Sequence, residues 1–350
     1  MLAAVLFIPV PAGAISARRA VVMDTVGKEI LFSRRAEEKS LIASTTKIMT
    51  GLLVCERCNV LEPVRIPREA VGIEGSSLYL KEGEVLTVQE LLYGMLLRSG
   101  NDAAAALAIH TAGSVPAFAE LMNRKARELG MKNSHFENPH GLDGKDHRST
   151  ALDLAILGTA AMKNPIFART VGAKTAKAGG RVLQNHNKLL WRFPGADGIK
   201  TGYTKAAGRI LVSSALRQGR RLVAVTIDAP SDWSDHAILL EKGFGRLKTR
   251  TLLHAGERVG TLEVWEGQKR QVPILAAEDF SMLAAPGEKA SVLLPGPGFV
   301  YAPAVKGAEL GVAPVLIRGT LVGRIPVVFG ATVEKETEQQ PGFFRRLLGG

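Results

Sequence analysis

The sequence predicts a mixed α/β (α+β) domain followed by a small all-β domain, and three observations lead there. Strand-like runs stand at both ends of the stretch from about Ala20 to Lys248. Helical patterns fill its middle. From about Thr251 the texture changes to short β runs separated by glycine and proline. A chain of 350 residues is long enough for one large or two ordinary domains.

The elements follow in order. Leu2 to Pro9 is continuously apolar and leads to Ala12-Gly13-Ala14, a small-x-small pattern of the kind signal peptidase cuts, so residues 1–17 are read as an export leader. The run is too short to span a bilayer and lacks the basic stretch of a full signal, so an incomplete leader is expected. Ala20-Val21-Val22-Met23-Asp24 reads as a strand, Val26-Gly27-Lys28 as a turn and Glu29 to Phe32 as a second strand. Phe118 to Leu129 places Leu121, Met122 and Leu129 at helical spacing, with Gly130 positioned to end the helix. Ile210-Leu211-Val212 and Leu222 to Ile227 flank Gln218-Gly219 as a hairpin, and early and late strands are expected to share one sheet.

The second domain is read from Thr261 to Trp265, Val272 to Leu275, Ser291 to Leu294 and Ile325 to Phe329. The expected divisions are residues 1–17, 18–248, 249–335 and a short amphipathic, basic tail, 336–350, with Phe343-Phe344-Arg345-Arg346-Leu347-Leu348.

Composition narrows the function classes. Hydrophobic residues make up 46% of the chain and no repeated long apolar runs occur, which excludes a disordered chain and a polytopic membrane protein. The formal net charge is +12, from 45 Lys and Arg against 33 Asp and Glu, which favours an anionic partner: nucleic acid, an anionic lipid surface or a wall polymer. Nucleic acid is set aside, because Arg220-Arg221 has no aromatic interleaving and no nucleic-acid motif, and is read as solvated or wall-facing. Cys55 and Cys58 form a C-x-x-C without a second pair, which is read as inert or incidentally bridged thiols rather than a zinc or redox site. His140 and His147, with Asp143 and Asp146, are read as a structured loop and not a metal cluster; neither a metal nor a cofactor is expected.

The chemistry lies in three short segments. In Ile42 to Thr50, Ser44 stands at a helix start and Lys47 follows one turn later on the same face. A serine hydroxyl becomes a nucleophile when a neighbouring base takes its proton, and a lysine is such a base once burial and nearby cations lower its pKa. Alone, S-x-x-K reads as an N-cap serine beside an exposed lysine. It is followed, however, by S-x-N at Ser99-Gly100-Asn101 and K-T-G at Lys200-Thr201-Gly202, and the three motifs in this order are the signature of penicillin-binding proteins and class A β-lactamases.

In detail, Ala43 to Thr50, Ser99 to Ala104, Asn138-Pro139-His140-Gly141-Leu142 and Gly198 to Thr204 resemble the serine-type D-alanyl-D-alanine carboxypeptidases. These are low-molecular-mass penicillin-binding proteins of peptidase family S11. The resemblance runs from about Ala20 into the β-rich part and implies a transpeptidase/β-lactamase-like domain followed by a small β-sandwich. It implies that Ser44 attacks the penultimate D-Ala carbonyl of a peptidoglycan stem peptide and that Lys47 accepts the proton. Ser99 would pass a proton to the leaving amine, and Asn101 would hold Lys47 and the substrate amide. Lys200 and Thr201 would bind the terminal carboxylate, Gly202 would let substrate lie against the strand, and the backbone N–H groups of Ser44 and Tyr203 would form the oxyanion hole.

The resemblance further implies β-lactams as covalent inhibitors and an exported enzyme, peripheral on the outer face of the cytoplasmic membrane through its tail and an anionic surface. No arginine between Ile227 and Ser234 stands out as a supplement to carboxylate binding. A class A β-lactamase would need a water-activating glutamate, and no E-x-x-L-N lies between Asn101 and Lys200. A non-catalytic wall-binding or β-lactam-sensing protein is disfavoured because every reactive side chain is present.

Overall fold

The computed structural model describes residues 15–336. The apolar run Leu2–Pro9 with its cleavage pattern, and the segment Phe343–Leu348, lie outside the described residues. The described residues form two compact units, one of residues up to Arg217 with Arg221–Arg246 and one of Gln218–Arg220 with the residues from Leu247 onward.

The first unit is built on a five-stranded sheet that joins the two ends of its sequence. Arg19–Asp24 lies between Ile30–Arg34 and Arg220–Ile227; the hairpin of Gly208–Arg217 and Ala196–Thr204 completes the sheet. Arg19 pairs with Ile227 and Asp24 with Leu222, antiparallel throughout, so early and late strands do share one sheet. Every residue of Arg19–Asp24 is buried, because helices cover both faces. On one face Gly158 of helix Ala151–Ala161 packs against Ile199, Val212 and Val223; on the other Gly243 of helix Asp232–Gly245 packs against Val22 and Leu222. The helix expected at Phe118 begins at Val115, where the Ser114 hydroxyl accepts a bond from the Ala117 amide and Pro116 pre-sets the first turn. Gly130 ends it at φ +80°, a left-handed cap that costs glycine nothing.

Among the described residues no single helix is long and apolar enough to cross a membrane. Cys55 and Cys58 are free thiols, and burial pushes Cys55 up to about 12, so its reactive thiolate is suppressed at neutral pH.

The second unit is all β, with a six-stranded sheet and a two-stranded ladder of Lys248–Leu253 and Phe280–Ala284. Strict alternation builds its core. Val272, Ile274 and Ala276 point inward from one strand, Ala313, Val315 and Ile317 from another, and Ile325 and Val327 from a third. Leu253 and Phe280 from the ladder pack into the same core, giving the two-layer arrangement of a sandwich.

One expectation is corrected here. Arg220 is not solvated: it is fully buried, and its guanidinium makes two bonds, of 2.9 and 2.8 Å, to the Glu288 carboxylate. Arg221 in turn pairs with Asp197. Two parallel charge-assisted bonds offset the desolvation that a lone buried arginine would suffer. Glu288→Ala removes both of these bonds from the buried guanidinium and is expected to destabilise the protein by about 1.5–3 kcal/mol, measured by urea denaturation. A loss under about 1 kcal/mol would show that the arginine finds water or another partner.

Candidate active site

Ser44 lies in a single 3-10 turn, Ala43–Thr46, that runs straight into helix Lys47–Arg57. No side-chain cap bond forms at either start, so this serine does not cap the helix. Its hydroxyl faces Lys47 instead, with Nζ 3.0 Å from Oγ. Ala43 is held at φ +44°, a left-handed conformation unusual for alanine and a mark of imposed local geometry.

Lys47 is fully buried among helices and is fixed from three sides. Besides Ser44 it donates to Asn101 Oδ1 at 2.7 Å and to the His140 carbonyl at 2.6 Å. Burial, reinforced by the charge of Lys200 and opposed by Asp102, holds its pKa well below the ordinary lysine value. When Nζ loses its proton, two N–H groups still serve Asn101 and His140, and the lone pair is left facing the Ser44 hydroxyl.

Ser99 sits just before helix Asn101–Ala112 at φ +65°, lines the cleft beside Ser44, and its hydroxyl has no hydrogen-bond partner among the described residues. Asn101, the first residue of that helix, is buried and bridges Lys47 to the Glu74 carbonyl, with Nδ2 donating at 2.5 Å. Asp102 holds the segment 77–80 by accepting the amides of Leu78 and Leu80 and the Ser77 hydroxyl.

The loop Asn138–Leu142 closes the site from behind. Gly141 has φ +89°, and a Cβ there would lie 1.9 Å from the Ala43 carbonyl oxygen. Gly141→Ala is therefore expected to displace the Ser44 turn and to destabilise the protein by about 1–3 kcal/mol in urea denaturation; an unchanged midpoint would show that the turn tolerates movement. His147 accepts from the Glu137 amide at Nδ1 and so donates from Nε2 to Thr46 Oγ1 at 2.8 Å. Burial lowers His140 to about 3 and His147 to about 4, leaving both neutral braces of the turn. Among the described residues no three His, Cys, Asp or Glu are grouped to hold a metal.

Lys200, Thr201, Gly202 and Tyr203 lie together on strand Ala196–Thr204 at the sheet edge. Thr201, Gly202 and Tyr203 line the cleft, Tyr203 with 64% of its surface exposed. Lys200 lies beneath it, fully buried, donating from Nζ to the Thr201 carbonyl at 2.8 Å, and burial brings it down to about 7. Gly202 also has a place in the packing, since the space beside its Cα is shared with the Ser44 turn. A Cβ there would sit 3.2 Å from Thr45 Cγ2 and 3.3 Å from the Ile42 carbonyl oxygen, so the missing side chain lets strand and turn close together.

A further cleft residue escapes sequence reading. Arg209, opposite Tyr203 in the antiparallel register, is 44% exposed by its side chain and donates through one terminal nitrogen to both Asp232 oxygens, at 3.0 and 2.9 Å. An arginine thus reaches the cleft from the neighbouring strand rather than from the segment 227–234, which supplies its partner. The whole cleft, about 720 Å³, runs from Ser44 and Ser99 past Asn185, His186 and Trp191 to Trp233.

Comparison with known proteins agrees with this geometry. The family profile described as D-alanyl-D-alanine carboxypeptidase matches residues 7–231, and that of the penicillin-binding protein 5 C-terminal domain matches residues 247–335. The chain is 32% identical to D-alanyl-D-alanine carboxypeptidase DacF of Bacillus subtilis, over 95% of this chain and 89% of that one. It is 34% identical to DacD of Salmonella typhimurium, over 98% and 92%. Among solved structures, penicillin binding protein 5 of Haemophilus influenzae superposes with a TM-score of 0.66 at 29% identity, covering 92% of this chain and 99% of that one. A serine-to-alanine mutant of the Streptomyces K15 DD-transpeptidase covers 67% of this chain and 99% of its own at a TM-score of 0.63 and 31% identity. With Ser44 and Lys47 in hydrogen-bond contact and a family match across both units, the chain belongs to the D-alanyl-D-alanine carboxypeptidases and carries the C-terminal domain of penicillin-binding protein 5.

Proposed function

We propose that this protein removes the terminal D-Ala from peptidoglycan stem peptides through an acyl-serine intermediate and is acylated at the same serine by β-lactams. The observation that carries the reading is the buried Lys47 amine, 3.0 Å from Ser44 Oγ, with its pKa held down by burial. Neutral Lys47 takes the Ser44 proton as Oγ attacks the penultimate D-Ala carbonyl. The oxyanion is met by the backbone N–H groups of Ser44 and Tyr203. Ser99, with its free hydroxyl, relays a proton to the leaving D-Ala amine. Asn101 keeps Lys47 in place. Water then hydrolyses the ester, with Lys47 taking up its proton.

Lys200 and Thr201 anchor the substrate carboxylate. A buried ammonium is stabilised by a carboxylate arriving beside it, so binding raises the lowered pKa of Lys200. In the free enzyme Lys200 is charged below about 7 and neutral above. The kcat/KM for D-Ala release is therefore expected to fall as pH rises above about 7, while kcat, which reports the bound complex, falls at higher pH. Identical alkaline limbs in both parameters would contradict this role for Lys200.

Export and peripheral attachment to the outer face of the cytoplasmic membrane belong to the same proposal. They are supported by the apolar run Leu2–Pro9 with Ala12-Gly13-Ala14, by Phe343-Phe344-Arg345-Arg346-Leu347-Leu348, and by the net charge of +12. No cofactor is needed, since Lys47 supplies the base. The lifetime of the penicilloyl adduct tests the reading against a β-lactamase. A persistent adduct together with D-Ala release from a diacyl-Lys-D-Ala-D-Ala peptide is expected; rapid turnover of the adduct without D-Ala release would overturn it.

A further inference from the structure

The cleft wall beyond the catalytic groups carries a charge imbalance that hydrolysis of a D-Ala-D-Ala bond does not require. Arg98, Lys188, Arg192 and Arg209 line it, against a single carboxylate, Asp232. That carboxylate is buried and already engaged by Arg209. Arg98, Lys188 and Arg192 are exposed, and among the described residues none of them has an ion-pair partner. His186, between them in the wall, adds no charge at neutral pH: burial, with Arg98 and Lys200 nearby, lowers it to about 4. The exposed indole of Trp191 and the half-buried one of Trp233 supply apolar surface for a peptide's hydrocarbon parts. At about 720 Å³ the cleft lies in the upper part of the roughly 300–1,000 Å³ range of ligand sites, with room for residues upstream of the terminal dipeptide.

We infer that Arg98, Lys188 and Arg192 form an acid-reading wall, which makes the enzyme prefer stem peptides with free carboxylates upstream of D-Ala-D-Ala over the same peptides carrying carboxamides. The inference rests on the carboxypeptidase reading above and names the substrate subclass for that site. Its physical basis is simple. The terminal carboxylate is served by Lys200 and Thr201, so further unpaired cations in the same cleft act on whatever other negative charge the peptide brings. In an open cleft this attraction is modest per charge pair, screened by salt, and expressed in substrate capture more than in the chemical step.

The test uses the full chain and matched peptides ending in X-D-Ala-D-Ala. In one pair the side chain of X bears a free carboxylate or its carboxamide; in the other the residue before X does. For at least one pair, kcat/KM for D-Ala release should be about fivefold or more higher for the carboxylate, mostly through KM. Which pair shows it identifies the carboxylate that is read. The preference should shrink at 0.5 M salt, and in the R98Q/K188Q/R192Q triple variant the ratio should fall toward one. Equal kcat/KM within both pairs at low salt overturns the inference, as does a preference insensitive to salt, which needs no variant to measure. No release from any of the peptides by protein that fluorescent penicillin still labels at Ser44 overturns the carboxypeptidase reading itself, and this inference with it.

Discussion

Lys47→Met should lower the rate of Ser44 acylation about 10²- to 10⁴-fold while leaving the protein folded, the range expected when a positioned general base is lost. Methionine matches the lysine stem in length and flexibility and adds no charge to a buried site, so the desolvation that depresses the Lys47 pKa is relieved rather than increased. Asn101 Oδ1 and the His140 carbonyl each lose a donor, an opposing cost of about 1–3 kcal/mol per buried group. The two effects pull stability in opposite directions, whereas nothing replaces the base. Stopped-flow measurement of penicilloyl formation, beside a thermal melt, checks both halves. Acylation within tenfold of the parent in a folded variant would move the base elsewhere, and Ser99, whose hydroxyl is free, would be the next group to examine.

The second large effect concerns recognition. Lys200→Met should reduce kcat/KM toward peptides with a free C-terminal carboxylate about 10- to 100-fold, since a hydrogen bond to a charged group is worth about 1.5–3 kcal/mol. The matching C-terminal amides, which offer no charge to the ammonium, should be poor substrates of the parent and lose little more in the variant. Nonadditivity between the two changes is the informative quantity, because it isolates the ammonium-carboxylate contact from any disturbance of the strand. Equal losses for acid and amide would assign Lys200 a purely structural role, which its bond to the Thr201 carbonyl would then explain.

The contact between Ser44 and Lys47 was legible because it is local. Ser44 and Lys47 are one turn apart, and any helical start brings their side chains to one side. Ser99, Asn101 and Lys200 were legible only as motifs; what seats them is long-range, in the antiparallel pairing of strand ends and the contact of Asn101 with Lys47 across 54 residues. Arg209 was invisible for the same reason. Its relation to the cleft exists only through the register that sets it opposite Tyr203, and through Asp232 on a later helix. Arg220 was misread because an arginine beside a Gly turn has every local sign of solvent exposure, while its partner Glu288 stands 68 residues away.

Helices differ in the same way. Val115–Leu129 buries a single stripe, Phe118, Ala119, Met122 and Ala126, and its period shows in the sequence. Val88–Leu97 and Ala151–Ala161 are buried on most sides, so their sequences are apolar without a clear period, and sequence reading did not mark them.

The most direct test of the central claim is D-Ala release from a diacyl-Lys-D-Ala-D-Ala peptide by the parent and by Ser44→Ala, with fluorescent penicillin labelling of both. The account predicts release and labelling by the parent and the loss of both in the variant. Labelling that survives Ser44→Ala, or a labelled parent that releases no D-Ala, would contradict it.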